Sequence, residues 1–328
     1  MHRPTPPGSK LRVLIIMPLL NDWPAAAELI RCIDKSISSA SYHIEIVLVD
    51  DGSQQICERS KFPTSLSAVH TIRILRLRRN VGHQRAIAVG LMHTKATINC
   101  DAIIVMDADG QDTPEGVSRL LDAYSVNGRN KAIFAERSRR LESLLFRTFY
   151  LFYKILHRAL TGISVRVGNF SILPSEYLGT LAIMPELWNH YAAAVVRSKL
   201  PFTMIPITRG HRIAGTTQMN FVGLVRHGLS AISVFGDIVG VRVLIGSLAG
   251  ALLAGVAIFA IISVRLVTHW AIPGWATYSV GLLTIILLQF ITIATSFTLV
   301  ALSNQANFSF LPFRDYAYFV AETVDLYS

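Results

Sequence analysis

The chain has 328 residues, enough for one large domain or two smaller ones. Its 52% hydrophobic and 16% charged content, with a positive mean hydropathy, exclude an ordinary soluble enzyme and point to membrane segments. The net charge of +10, from 31 Lys plus Arg against 21 Asp plus Glu, suits anionic lipid or phosphate-bearing ligands, and no nucleic-acid recognition motif accompanies it.

Met1 to Lys10 is polar and Pro-rich and lacks the apolar core of a signal peptide, so the first two-thirds of the chain are expected in the cytoplasm. Leu11 to Met17 is a predicted strand, followed by Pro18-Leu19-Leu20-Asn21-Asp22. Pro24 opens a helix to Ile37, with Leu29, Ile30, Ile33 and Ile37 on one face. Ile44 to Val49 is a second strand that stops at Asp50-Asp51-Gly52-Ser53, and Ile72 to Leu77 is a third. A helix spans Gly82 to His93. The fourth strand, Ala102 to Met106, stops at Asp107-Ala108-Asp109, two carboxylates that leave an extended chain on the same side. Pro114 to Tyr124 is a helix and Ala132 to Ala135 a fifth strand. Cys32, Cys57 and Cys100 show no metal or disulfide spacing and read as reduced thiols. His83, His93 and His190 stand isolated and read as structural.

Alternating strands and helices predict a mostly parallel α/β sheet covered on both faces. Ligands of such sheets bind beyond the carboxyl ends of the strands, where Asn21, Asp22, Asp50, Asp51, Asp107 and Asp109 all fall. Two adjacent carboxylates can hold a hard divalent cation that bridges a diphosphate.

Farther on, Val243 to Val264 and Tyr278 to Leu302 contain no charged residue. The first is about 33 Å long as a helix, enough to cross a hydrocarbon core of ~30 Å. Trp270, Pro273, Gly274 and Trp275 fit a short loop between two spans, and the alternative is a buried hairpin of a soluble protein. Gly246 and Gly250 form a small-xxx-small pair. Thr217 to Val241 reads as an amphipathic helix on the bilayer surface, and Phe146 to Leu156 as an interfacial one beside Arg137, Arg139, Arg140, Arg147, Lys154, Arg158 and Arg166. The expected organisation is a cytoplasmic catalytic domain over 1–210, a basic loop and juxtamembrane helix over 211–242, two spans over 243–302 and a cytoplasmic tail over 303–328. The protein is thus expected in the inner (cytoplasmic) membrane as a multi-pass protein.

Pro18-x-x-Asn21-Asp22, Asp50-Asp51-Gly52-Ser53, Arg79-Asn80-x-Gly82 and Asp107-Ala108-Asp109-Gly110-Gln111-Asp112-x-Pro114, in that order, resemble family 2 glycosyltransferases. Within them the chain is similar to the polyprenyl-phosphate glycosyltransferases such as dolichol-phosphate mannose synthase. The resemblance implies a GT-A-type nucleotide-sugar-binding fold. It assigns Pro18, Asn21, Asp22, Asp50, Asp51 and Asp107 to the nucleotide-sugar donor, with Asp50 and Asp51 on base and ribose. Asp107, Asp109 and Gln111 match a site for Mg2+ or Mn2+, and Asp109 and Arg137 match catalytic positions near the sugar and phosphates. Asn169, in Gly168-Asn169-Phe170-Ser171, stands where many relatives carry an acid, and an amide cannot act as a base.

An inverting transfer to a hydroxyl usually needs a base, whereas a phosphate monoester is already anionic at neutral pH. The scarcity of acids between Tyr124 and Val234 therefore favours a polyprenyl phosphate acceptor over a glycolipid or glycan hydroxyl. Arg209 and Arg212, in a Gly-flanked loop, are the expected acceptor-phosphate residues. A membrane-anchored scaffold with a decayed transferase fold is the non-enzyme alternative, and Asp107, Asp109 and Gln111 together argue against it. The reading takes the membrane as a partner, admits a homo-oligomer and excludes nucleic acid. The motifs carry no code for the sugar, or for uridine against guanosine.

Overall fold

The strands lie at the centre because their residues can be buried on both sides. In the computed structural model, which describes residues 10–137, 155–162, 167–213, 228–268, 274–306 and 310–327, β1 (Leu11–Leu19) has eight of nine residues buried. The chain continues through α1 (Trp23–Ser36), β2 (Tyr42–Asp50), β3 (Val69–Leu77), α2 (His83–Thr97), β4 (Ala102–Val105), α3 (Pro114–Val126) and β5 (Ala132–Arg137). Then come β6 (Val167–Pro174), α4 (Tyr177–Leu181), α5 (Tyr191–Arg197) and β7 (Phe202–Ile207). The long helices α6 (Gly236–Val267) and α7 (Trp275–Ala306) follow, and the short α8 (Pro312–Asp315) precedes β8 (Val320–Tyr327).

The eight strands form one sheet in the order β7-β5-β6-β4-β1-β2-β3-β8. The pairs β4-β1, β1-β2, β2-β3 and β5-β7 are parallel, as the alternating pattern predicts. β6 enters antiparallel between β4 and β5, and β8 runs antiparallel along β3. Alternate residues of β1 feed two cores. Val13, Ile15 and Met17 pack with α1 and α3, while Leu14 and Ile16 pack with α2, α4 and α5. Each such fully buried side chain stabilises the fold by roughly 1.5–3 kcal/mol, so the strand ends that carry the acidic motifs are rigidly placed. Gly90 lets α2 approach closely: a Cβ there would lie 2.8 Å from Val49 Cγ2 and 2.9 Å from Ile16 Cγ2.

Two differences from the predicted elements matter. The fifth strand runs on to Arg137, and the 303–328 segment is no simple tail. Its residues 310–327 join the sheet: Arg73 and Arg76 of β3 pair with Asp325 at 3.2 Å and Glu322 at 2.5 Å. Phe310 and Phe319 pack on Trp188, with centroids 4.1 and 4.7 Å away.

The described parts of 10–137, 165–234 and 310–327 make one compact unit. Residues 155–162, 235–268 and 274–306 make a second. Its helices α6 and α7 are each 32 residues, about 48 Å, and are long and apolar enough to cross a membrane. They exceed the predicted spans at both ends. Among α6 side chains only Ser247 and Ala254 are buried, which contradicts a buried soluble hairpin. Of the small pair, Gly250 has a packing role, since a Cβ there would meet the Phe290 ring at 2.5 Å, and Gly246 has open space. Of the predicted juxtamembrane helix, Thr217 to Val241, residues 217–227 lie outside the described residues, as do residues 146–154 of the predicted interfacial helix, Phe146 to Leu156. Residues 228–233 are helical, and Gly236 to Val241 belong to α6.

Candidate active site

The site is assembled where β1, β2 and β4 end. Beyond β1, Asn21 takes a left-handed conformation (φ 61°), which asparagine tolerates better than most residues. Its side-chain oxygen accepts from the backbone N–H groups of Gln54 and Gln55, at 2.9 and 3.0 Å, and its own N–H donates to Ser53 Oγ at 2.8 Å. Asn21 thus stitches the first motif to the second. Pro18 is buried in β1, opposite Val49.

Asp50 and Asp51 are both buried. Asp50 Oδ1 accepts from Ser53 N–H at 2.8 Å. Both oxygens of Asp51 are used by the next loop, from Val81 N–H at 2.7 Å and Gly82 N–H at 2.9 Å. Burial lifts the Asp51 carboxyl above its usual range, against the pull of those two N–H groups. The pinned loop includes Gly82 (φ 91°), where α2 begins, and so fixes its first residue, His83.

After β4 the chain turns sharply. Asp112, itself buried, accepts from Asp107 N–H at 2.9 Å, and Asp109 Oδ1 accepts from Gln111 N–H at 2.9 Å. Thr113 Oγ1 then caps α3 by accepting from Gly116 N–H at 3.1 Å, with Pro114 in its first turn. Burial raises the Asp109 carboxyl, the Gln111 N–H opposes this, and the neighbouring Asp107 raises it further.

The segment after β7 lies on this turn. Gly210 N–H donates to Gln111 O at 2.9 Å and Ile213 N–H to Asp109 O at 3.0 Å. Two glycines permit the approach: a Cβ on Gly210 would lie 2.8 Å from Gly110 O, and one on Gly110 would strike Ile213 Cγ1 at 2.4 Å. Arg212 reaches Asp22 Oδ2 at 3.0 Å and Asp109 Oδ2 at 3.7 Å, and Arg209 donates to the Gln111 side-chain oxygen. His83 Nε2 lies 3.2 Å from Asp107 Oδ1. Burial disfavours the charged ring, but Asp107, then Asp112 and Asp51, outweigh it and hold His83 above its usual value.

His83, Arg209 and Arg212, from separate elements, therefore converge on the Asp107–Gln111 turn. Among the described residues no group of three or more His, Cys, Asp or Glu forms a ready metal cage. Two carboxylates without a cage fit a hard cation completed by substrate phosphate oxygens and water. Arg212 between Asp22 and Asp109 shows that the same place accommodates positive charge.

A family model, glycosyl transferase family 2, matches residues 14–180, just over half of the chain. The chain belongs to glycosyl transferase family 2. It is 27% identical over 234 residues to a prophage bactoprenol glucosyl transferase homolog of Escherichia coli, covering 69% of this chain and 73% of that one. It is 26% identical over 313 residues to an undecaprenyl-phosphate 4-deoxy-4-formamido-L-arabinose transferase of Klebsiella pneumoniae, covering 87% and 85%. An uncharacterised glycosyltransferase of Bacillus subtilis, YkcC, is 23% identical, with 80% of each chain covered. Among solved structures, the glucosyl-3-phosphoglycerate synthase of Mycobacterium tuberculosis, in complex with Mn2+, UDP-glucose and phosphoglyceric acid, superposes with a TM-score of 0.50. It shares 15% identity and covers 73% of this chain and 86% of that one, a likeness that shows the GT-A fold.

On this family 2 framework the structure brings together Asp22, Asp107, Asp109, Gln111, Arg209 and Arg212. Asn21 and Asp51 are held by backbone groups at the margin. Arg137 ends β5, and its side chain lies outside the described set. His83 is the residue that sequence reasoning set aside. Its signal was its place directly after Arg79-Asn80-x-Gly82 at a helix start. His93 packs edge-on against Tyr316, and His190 caps α5 by accepting from Ala193 N–H at 3.4 Å, both structural as expected. Burial pushes the Cys100 thiol up to about 12, in keeping with an inert thiol.

Proposed function

We propose that this family 2 enzyme moves one sugar from a nucleotide diphosphate sugar to a polyprenyl phosphate at the cytoplasmic face of a membrane, with inversion at the anomeric carbon. The observation that carries the reading is the basic segment Arg209 to Ile213 bonded onto the Asp107–Gln111 turn. It brings two guanidinium groups, which bind phosphate oxygens in a planar fork, to the carboxylates suited to a donor diphosphate. The names of the bactoprenol and undecaprenyl-phosphate relatives support the acceptor class.

In this reading Pro18, Asn21, Asp22, Asp50 and Asp51 wall the nucleoside end of the donor, and Asp107 orients the diphosphate. Asp107 and Asp109, with Gln111 beside them, would hold Mg2+ or Mn2+, which when bound offsets charge on the leaving diphosphate. Arg212 exchanges its contacts with Asp22 and Asp109 for phosphate oxygens once substrates enter. Arg137 adds positive charge near the sugar. The acceptor needs no strong base, because its second pKa is near 6 and it attacks as an anion. Asn169, an amide, fits a reaction without a general base at that position.

The chain path supports the location. It leaves the first unit at Val234, passes through α6 and α7, and returns at Phe310 to complete the sheet. Two crossings bring both flanks to one side of the bilayer, as the positive-inside distribution of Arg226, Arg242 and Arg314 against Arg265 also suggests.

Purified protein incubated with polyprenyl phosphate, or with the neutral polyprenol, and a panel of nucleotide sugars tests this by mass spectrometry. A single-sugar, acid-labile polyprenyl phosphate product is expected. Product from a hydroxyl acceptor alone would overturn the reading and favour glycolipid transfer.

A further inference from the structure

His83 stands between the site and a chain of amides that leads into the core. On one side Nε2 lies 3.2 Å from Asp107 Oδ1, and on the other 3.0 Å from Asn169 Nδ2. Asn169 Oδ1 accepts from Gln84 Nε2 at 3.2 Å, and Gln84 Oε1 accepts from Tyr191 N–H at 2.8 Å. A backbone N–H can only donate, so Tyr191 sets the sense of the chain. Gln84 must present its oxygen to Tyr191 and its amide nitrogen to Asn169, which turns the Asn169 N–H groups toward the ring. Asn169 is fixed again from behind, where Ser171 Oγ donates to its backbone oxygen at 2.9 Å and lies 2.8 Å from the Tyr191 hydroxyl. Tyr191 and Ser171 have no exposed surface.

The ring nitrogen thus has a donor on one side and a carboxylate on the other. The imidazole is wedged between the two. Its own helix start is pinned by Asp51, through Gly82 N–H, so the ring is held from two directions.

We infer that His83 is a positioning residue for Asp107, holding that carboxylate in the orientation in which it receives a divalent cation. The inference rests on the reading of Asp107 and Asp109 as cation-binding carboxylates. Polar partners behind a ligating group are worth about 10–100-fold in metal affinity when removed. Because 42% of the His83 side-chain surface is exposed, its replacement leaves little cavity and the fold is expected to survive.

The test is Mn2+ binding to the full-length protein in detergent, without donor, followed by loss of the free-ion electron paramagnetic resonance signal. Thermal melting of each variant is recorded alongside. His83→Ala is expected to bind Mn2+ about 10-fold or more weakly than the wild type with an unchanged melting temperature. His83→Gln, whose amide nitrogen reaches about as far as Nε2, is expected to restore most of the affinity, and Asn169→Ala to show a smaller loss in the same direction. Equal Mn2+ affinity in His83→Ala and wild type would overturn the role of His83 while leaving the carboxylate site intact. No Mn2+ binding by the wild type would overturn the carboxylate site and this inference together. If His83→Ala melts early, His83→Gln decides: affinity as low as that of Asp107→Asn contradicts the inference.

Discussion

Asp50-Asp51 and Asp107-Ala108-Asp109 look alike in the sequence, as carboxylates that end apolar strands, yet the fold uses them differently. The first pair serves the backbone. Asp50 takes Ser53 N–H, and both oxygens of Asp51 take N–H groups of the 81–82 loop. The second pair faces basic side chains, His83 at Asp107 and Arg212 at Asp109. A carboxylate whose oxygens are taken by backbone donors shapes a site; in the proposed function, one that faces cationic partners exchanges them for a metal ion that carries the diphosphate. The local backbone explains the division: Asp50 ends β2 and Asp51 meets the 81–82 loop, whereas Asp107 and Asp109 lie on the turn beyond β4, where His83 and Arg212 reach them.

The largest effect expected from this contrast is that of cation removal. Chelation should lower sugar transfer at least 100-fold, with recovery on added Mn2+ or Mg2+, while the melting temperature moves little. Full turnover in excess chelator, measured by product mass spectrometry, would remove the chemical role of the second pair.

The cations that face that pair come next. Arg209→Gln with Arg212→Gln should raise the KM for polyprenyl phosphate about 10-fold, because charge-assisted contacts to phosphate are roughly twice as strong as neutral ones. The donor KM should change less, since Asp107 and Asp109 remain. Steady-state kinetics with each substrate varied checks this, and an unchanged lipid KM would limit the loop to a covering role.

A third carboxylate sharpens the structural side of the comparison. Asp34, on α1, is buried and accepts from the N–H groups of Ser67, Ala68 and Val69 at 2.7–3.0 Å. Burial opposes its charge, but those N–H groups together hold its carboxyl below the usual value. A depressed folded pKa contributes stability that is fully present above the unfolded value, about 3.9, and is lost as pH falls through the lower folded one. Asp34→Ala should therefore cost about 2–3 kcal/mol at neutral pH, through stranded N–H groups. The gap from wild type should narrow in acid denaturation below about pH 4. Transfer activity at 25 °C should stay near normal.

The sequence showed the parallel half of the fold and its acidic edge because strands buried on both faces read as apolar runs between turn signals. It missed β6 and β8 for opposite reasons. Gly168-Asn169-Phe170-Ser171 drew attention as a motif and hid the strand that carries it. Val320–Tyr327 carries Glu322 and Asp325 among apolar residues along an exposed edge, which resembles a tail until Arg73 and Arg76 are placed opposite. His83 was invisible for a further reason. Its partners Asp107 and Asn169 lie 24 and 86 residues away along the chain, and only the sheet order brings them to one point.

The division of labour between the two acidic pairs is tested most directly by reading both in the same two assays. Asp51→Asn and Asp109→Asn are each measured for thermal melting and for turnover at saturating donor, lipid phosphate and Mn2+. The expected results cross over. Asp51→Asn should melt several degrees lower, because an amide replaces the charged acceptor of two N–H groups, and should keep most of its turnover at low temperature. Asp109→Asn should melt near the wild-type temperature and lose at least 100-fold in turnover. Near-normal turnover of Asp109→Asn, or an Asp51→Asn variant that melts like wild type, would contradict the account.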